Sequence, residues 1–522
     1  MAANPSRTDA ETATQSTQAF ATSLQLSSDD EARVLDILSA SPALTVDDAS
    51  TAKQTHPSMV HAGCQISRLI FGENCLLDDS TIEQAVSVSW SQTCWQSPRC
   101  VIQPTTSLQV SQALKIITFL RIPFSIRSGG HSPNPGHSGL ESGFLVDLSK
   151  LNSMTISEDR KTFSVGPGVR WGQVYEFLDP YDVTAVGGRI PHVGVGGLLL
   201  GGGLSFWTGE YGLATDNVAS FEVVLADGSI LNANARERSD LFWALKGGGP
   251  NFGIVTRFDV HTIPVKNIWF QLNIHSLEQA PLLLEAYAAW QQSPDNKGSV
   301  AMIISQTSIT LGLIYSQPTE KPETFAPFYD ITPLKTVVPP NISTVKALSK
   351  MTGALAPAAP RHDYRAASSK IDAELYQSVY AAWKAEATKV HETTGATSTF
   401  VLSHIPKNVI DIGNANGGNA MGLEPIPQQW WTTLIDWEHA KDDEAARGIA
   451  IATTAKWKEL GMASGSYLPF IYMNDASRDQ DPLGSYPAAN VERLREVAAK
   501  YDNLGVFQML QNDGFLLSKV GG

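Results

Sequence analysis

The chain has 522 residues, 43% of them hydrophobic, and a formal net charge of −14 at pH 7. That length supplies two or three domains with large buried cores, and the negative balance argues against nucleic acid or an anionic membrane as a partner. No apolar run reaches the ~18 residues of a membrane helix. The first 25 residues are rich in Ser, Thr, Ala and Gln and lack the basic start and apolar core of a secretory signal. They read as a disordered tail, and an intracellular setting is favoured. Cys64, Cys75, Cys94 and Cys100 do not have the spacing of zinc knuckles. Cys64 and Cys75 could close a small loop in an oxidising compartment, and four buried thiols fit as well.

In chain order, a Ser/Asp cap opens an amphipathic helix over 28–40, and a charged stretch of poor periodicity runs to about Met59. Val101 to Pro104 reads as a strand ending at proline. Thr106 or Ser107 then caps a helix through Leu120, with Val110, Leu114, Ile117 and Phe119 as its apolar positions. The next strand, Ile122 to Ile126, leads into Arg127-Ser128-Gly129-Gly130-His131-Ser132. Paired glycines let backbone N–H groups approach a phosphate, and Arg127 adds positive charge. Strands follow at Gly143–Leu148 and Thr162–Val165. Gly166-Pro167-Gly168 turns the chain into a helix from Trp171.

Gly187 to Asn217 is a second dense signal, with many glycines among small apolar residues. Such a stretch is either a tightly packed structural loop or a backbone surface pressed against a long ligand. No Gly-Lys-Ser/Thr closes it as a P-loop, and Gly197 to Gly201 lacks the Rossmann spacing. Beyond it, Val218–Leu225 and Ser229–Ala233 form a hairpin about Asp227-Gly228, Ser239 caps a helix, and Phe252–Val260 is a strand. Strand-like runs at 268–274, 298–316 and 397–405 are separated by helices at about 276–292, 371–393 and 438–459. The pattern is that of an α+β chain.

Taken together, these motifs resemble flavoproteins of the vanillyl-alcohol oxidase/p-cresol methylhydroxylase superfamily. The resemblance rests on Arg127 to His131, Val165-Gly166-Pro167-Gly168, Val193 to Gly197 and Gly201-Gly202-Gly203. It continues through Tyr211-Gly212-Leu213, Asp216-Asn217-Val218, Leu241 to Ala244 and Gly253 to Thr256. Tyr472-Met473-Asn474, with Arg493-Leu494, Lys500 to Asp502 and Val506-Phe507, is similar to the closing motif of the berberine-bridge-enzyme-like branch.

The resemblance implies a PCMH-type FAD domain of two α+β subdomains, interrupted by a substrate domain built on an antiparallel sheet. The corresponding boundaries are a tail and short helix over 1–55, an FAD domain over 56–262 with its core at 96–262, a substrate domain over 263–466, and a returning segment over 467–522. It further implies that Arg127, Ser128, Gly129, Gly130, His131 and Ser132 wrap the FAD pyrophosphate. Val193, Gly194, Gly196, Gly197, Gly202, Asp216, Asn217 and Val255 are the other implied cofactor contacts. His131 is the implied covalent attachment point, and His137 lacks the Gly-Gly lead. Ile190 stands where many relatives carry a cysteine that tethers the flavin a second time, so a single link is expected. Tyr472 resembles the family's active-site tyrosine, able to take a substrate proton if neighbours lower its pKa, with Asn474 in support. Asp475 replaces a tyrosine of the family pattern. His192 and His404 are weaker candidates for the pocket.

The implied activity is that of an FAD-linked oxidoreductase of secondary metabolism, an oxidase rather than a dehydrogenase, using O2 on a small-molecule substrate. The alternatives are a flavin-bearing cyclase, a carbohydrate oxidase, or a non-catalytic protein that keeps the fold.

Overall fold

A computed structural model describes residues 7–41, 57–354 and 359–521. Among them, three sheets organise the chain. The first is four-stranded, in the order Cys75–Leu76, Cys100–Ile102, Phe144–Asp147 and Phe124–Arg127. Cys100–Ile102 and Phe124–Arg127 both run parallel to Phe144–Asp147. Parallel pairing demands a crossover, and the helix Ser107–Leu120 supplies it, capped by Thr106 accepting from the Gln109 N–H. Its Val110, Leu114 and Ile117 are buried against the sheet in one core with Phe124 and Phe144.

The expected tail is instead a helix, Arg7–Ser23, turning into the expected second helix, Ser28–Ser39. Phe20 stacks on Phe119 with centroids 4.0 Å apart, and Leu24 is fully buried. A helix with so few apolar residues is held by tertiary contact rather than by its own period. Another helix, Pro57–Phe71, begins within the stretch whose periodicity gave no assignment, and the part of that stretch at 42–56 lies outside the described residues. All four cysteines are free and buried.

The second sheet is antiparallel along Met154–Ile156, Thr162–Val165, Ile254–Ile263, Val218–Val224 and Ile230–Asn234. Gly228 takes φ +82° in the turn of the expected hairpin. The helix Ser239–Leu245 starts after Arg238 at φ 50°, so Arg238, not Ser239, holds the cap position. The C-terminal segment returns to the first sheet. Phe124 donates its N–H to Leu510 O and accepts from the Asn512 N–H.

The third sheet has nine strands, ordered Lys335–Thr344, Asn267–His275, Ile309–Tyr315, Gly298–Ile304, Phe400–Ile405, Gln428–Trp437, Arg361–Lys370 and Tyr467–Leu468, with Thr397–Ser398 paired to Gln428–Trp437. Its pairings are antiparallel. Helices Ala280–Trp290, Ala373–Thr394 and Asp443–Ser464 share a core with one face, which includes Trp431. The adjacent Trp430 points the other way, into the core shared with the second sheet.

Three of these strands carried no alternating apolar pattern. Lys335–Thr344 is an edge strand containing Pro339 and Pro340. Arg361–Lys370 buries His362, Asp363, Ser368 and Ser369. Gln428–Trp437 buries Gln428 and Gln429 beside its tryptophans. The run at 298–316 is a hairpin turning at Ser305–Ser308.

Candidate active site

A cavity of about 830 Å³ opens where the three sheets meet, within the roughly 300–1,000 Å³ typical of ligand pockets. One wall is the Ser128–Ser132 loop, and a second is the glycine-rich stretch through Ile190, Val193, Gly194, Gly196 and Gly197. Val255 contributes from the second sheet. Ile303, Tyr364, Val401, Thr432 and Leu434 contribute from the third. Tyr472 to Asp475 and Gln511 close it from the returning segment.

The two loops touch backbone to backbone. A Cβ on Gly129 would stand 2.5 Å from Gly194 Cα, and one on Gly196 would stand 2.8 Å from Ser128 Oγ. Neither position admits a side chain. Gly130 sits at φ +65°. A Cβ on Gly197, by contrast, would find no protein atom within 4 Å. This bare backbone wall suits close approach by a long ligand. Three buried polar atoms on the lining, Asn134 Oδ1, Ser138 Oγ and Gln511 Oε1, have no hydrogen-bond partner among the described residues. Buried polar groups are normally paired, and these three are placed to meet a polar ligand in the cavity.

His131 lies on the cavity wall. Burial first, then the nearby Arg170 charge, pulls its pKa down to about 3, so the imidazole is neutral with a free nitrogen lone pair. The Trp90 indole stacks on it at 4.3 Å and 16°. Trp90 also stacks on His362 at 4.1 Å and 5°, and His362 Nδ1 lies 2.5 Å from Asp436 Oδ1. His137 and His192 also line the cavity, whereas His404 faces a separate pocket of about 40 Å³.

Four of the implied cofactor contacts stand behind the wall rather than on it. Arg127 is buried and ion-paired to Asp147 at 3.0 Å. Asp216 accepts from the Leu213 N–H and from Asn419 Nδ2. Asn217 donates to the carbonyls of Tyr211 and Leu213. Gly202, at φ +115°, underlies the Tyr472 ring. These residues hold the wall's shape.

Tyr472 is on the lining and buried, with Trp430 stacked on it at 4.8 Å. Its hydroxyl oxygen accepts from the N–H groups of Gly203 and Leu204 and from Asn474 Nδ2, each at 3.0 Å. Asn474 Nδ2 also donates to Leu198 O. Burial, with the Asp475 charge beside it, pushes the phenol pKa up. The lowered pKa that a tyrosine base requires is absent. Asp475, Trp90, Tyr364 and Arg189 are lining residues that the sequence reading assigned no role. Only Asp475 left a trace, as a departure from the family pattern.

The FAD binding domain family matches residues 98–234. An FAD-dependent monooxygenase of Arthrobotrys oligospora is 34% identical over 87% of this chain and 89% of its own. The chain belongs to the vanillyl-alcohol oxidase/p-cresol methylhydroxylase flavoproteins. The bifunctional solanapyrone synthase of Alternaria solani is 31% identical over 90% of this chain and 92% of its own. Glucooligosaccharide oxidase from Acremonium strictum, a structure described as carrying a 6-S-cysteinyl, 8α-N1-histidyl FAD, shares the fold at TM-score 0.72 and 19% identity, over 84% of this chain and 97% of that one. The present flavoprotein is thus an FAD-dependent oxidoreductase of secondary-metabolite type. Its cavity fits FAD on two counts: the side-chain-free wall, and the unpaired polar atoms along it. No helix among the described residues is long and apolar enough to cross a membrane.

Proposed function

We propose that this protein is an oxidase that carries FAD on a single covalent link through His131. It oxidises a C–H bond next to oxygen or nitrogen in an apolar natural product, with O2 as the final acceptor. The observation that carries this reading is continuity. One cavity joins the His131 loop to the Ile303, Val401 and Leu434 side chains of the third sheet. When bound, FAD supplies a two-electron acceptor in its isoalloxazine ring.

The chain's own residues supply the rest. Backbone N–H groups of the Ser128–Ser132 loop would hold phosphate oxygens, and Gly194, Gly196 and Gly197 would let the cofactor approach the main chain. Asn134, Ser138 and Gln511 would offer it their unpaired polar atoms. A neutral His131 keeps the ring-nitrogen lone pair that covalent attachment consumes. Ile190 on the lining has no atom able to make a second link. The aliphatic and threonine side chains at the far end favour an apolar substrate over a sugar.

Acid denaturation followed by peptide mapping of the yellow fraction tests the tether. Flavin on the His131 peptide is expected. Freely released flavin, or flavin on another peptide, overturns it. A cyclase is the second reading, favoured by the likeness to solanapyrone synthase along nearly the whole chain. Oxygen uptake in proportion to product distinguishes the oxidase.

A further inference from the structure

Beside Tyr472, whose oxygen is committed to three N–H donors, the cavity wall presents a second acid with none. The Asp475 carboxylate lines the cavity, and among the described residues no hydrogen bond to it is formed. It comes from the short helical turn Met473–Asp475, held by the Asp475 N–H donating to Tyr472 O, so the backbone fixes where the side chain enters the site. The charged or titratable groups that bear on it are Arg189 from the glycine-rich stretch, Tyr364 from the strand Arg361–Lys370, and Tyr472 of its own segment. Arg189 is held toward the third sheet by its bond to Ser403 Oγ. A bare carboxylate in an apolar cavity gains a great deal from the proton of a bound O–H or N–H.

We propose that Asp475, rather than Tyr472, is the proton-accepting residue of this site. The step is a proton transfer. The O–H or N–H bond of the substrate breaks, its electron pair stays on the substrate heteroatom, and the proton forms an O–H bond on an Asp475 carboxylate oxygen. This rests on the oxidoreductase reading only in placing the substrate in this cavity. Three features support the assignment. Tyr472 has no lone pair left to take a proton while it accepts from Gly203, Leu204 and Asn474. Burial pushes the Asp475 pKa up to about 6 against the opposing pull of Arg189, which keeps it ionised at neutral pH yet basic enough to work. The same ionised carboxylate helps to hold the Tyr472 and Tyr364 phenols in their protonated forms.

The test uses the protein as purified, with Asp475→Asn and Tyr472→Phe beside it. Dicyclohexylcarbodiimide, an apolar reagent that adds to protonated carboxyls, is the first probe, and peptide mapping locates the adduct. Asp475 is expected to be labelled, with a rate that falls about tenfold as pH rises from about 5 to about 7. The second probe is 4-methylphenol, a neutral O–H donor, titrated by calorimetry. Its affinity for the wild type is expected to rise about tenfold over the same interval, as the carboxylate becomes a charge-assisted acceptor. Asp475→Asn is expected to bind it weakly and without pH dependence, and Tyr472→Phe to behave as wild type. Labelling that misses Asp475, pH-independent labelling, or equal phenol binding by wild type and Asp475→Asn overturns the assignment. So does a pH dependence lost in Tyr472→Phe. Neither probe requires flavin, so a colourless protein would overturn the proposed function while leaving this test intact.

Discussion

Trp90 and His131 lie ring on ring, 4.3 Å apart, and the main chain reinforces the stack: the Trp90 N–H donates to Gly130 O at 2.8 Å. The contact reaches across the molecule. Ser91 exchanges hydrogen bonds with the backbone of His362, so the third sheet fixes the turn that places Trp90. Removing the indole frees the imidazole to rotate away from the orientation that attachment needs. Trp90→Ala is expected to lower the covalent fraction of bound flavin about tenfold, and Trp90→Phe, which keeps a stacking ring, to restore most of it. In-gel flavin fluorescence under denaturing conditions reads the covalent fraction, and total flavin absorbance gives the reference.

Gly129 and Gly194 make a harsher prediction. An alanine methyl at either place would overlap the other glycine's backbone at 2.6 Å or less. Backbone cannot swing aside as a side-chain end can, so the loops must separate. Gly129→Ala and Gly194→Ala are both expected to purify with little flavin. Gly197→Ala meets no protein atom, so it is expected to fold normally and to lose flavin only by filling the cradle. Thermal unfolding of the flavin-free forms separates the cases: the first two fall, and the third stays at the wild-type value.

Much of this was legible in sequence, for a physical reason. Gly129, Gly194 and Gly196 are sites where only glycine fits, and such positions announce themselves by residue type. The crossover helix Ser107–Leu120 and the strand Thr162–Val165 were equally plain from cap and period. Tyr364 and Trp90 were not legible, because their roles come from contacts across the fold. Tyr364 sits on a strand whose inward residues are largely polar, and Trp90 is defined by its partners, His131 and His362. Asp216 and Asn217 show how a motif and its side-chain contacts can differ. They belong to a motif of the cofactor domain, yet their side chains bond to the protein's own loops.

Asp475 carries a stability signature. Its folded pKa of about 6 exceeds the roughly 3.9 of an unfolded aspartate. Between those values the native state holds a proton that the unfolded state has lost, so stability falls as pH rises from about 4 to about 6 and is level above that. Asp475→Asn removes the buried charge. It is expected to be more stable than wild type above pH ~6, by at most about 3 kcal/mol, with the gain vanishing below pH ~4. Thermal melts of both proteins across this range measure it. A variant no more stable at pH 8 than at pH 4, relative to wild type, would falsify the raised pKa.

The final prediction concerns Tyr472, where loss of a single oxygen strands two backbone donors. In Tyr472→Phe the N–H groups of Gly203 and Leu204 remain buried without their acceptor, while Asn474 keeps its bond to Leu198 O. Each stranded donor costs about 1–3 kcal/mol, and water entering from the cavity can offset part of that. The variant is therefore expected to melt lower than wild type by an amount that does not change between pH 5 and pH 9, since the phenol stays protonated throughout. Asn474→Ala should cost less, because it leaves both backbone donors satisfied. If the Tyr472→Phe deficit instead grew above neutral pH, the phenol would be ionising in the native protein, and the nest of N–H groups would be holding a phenolate.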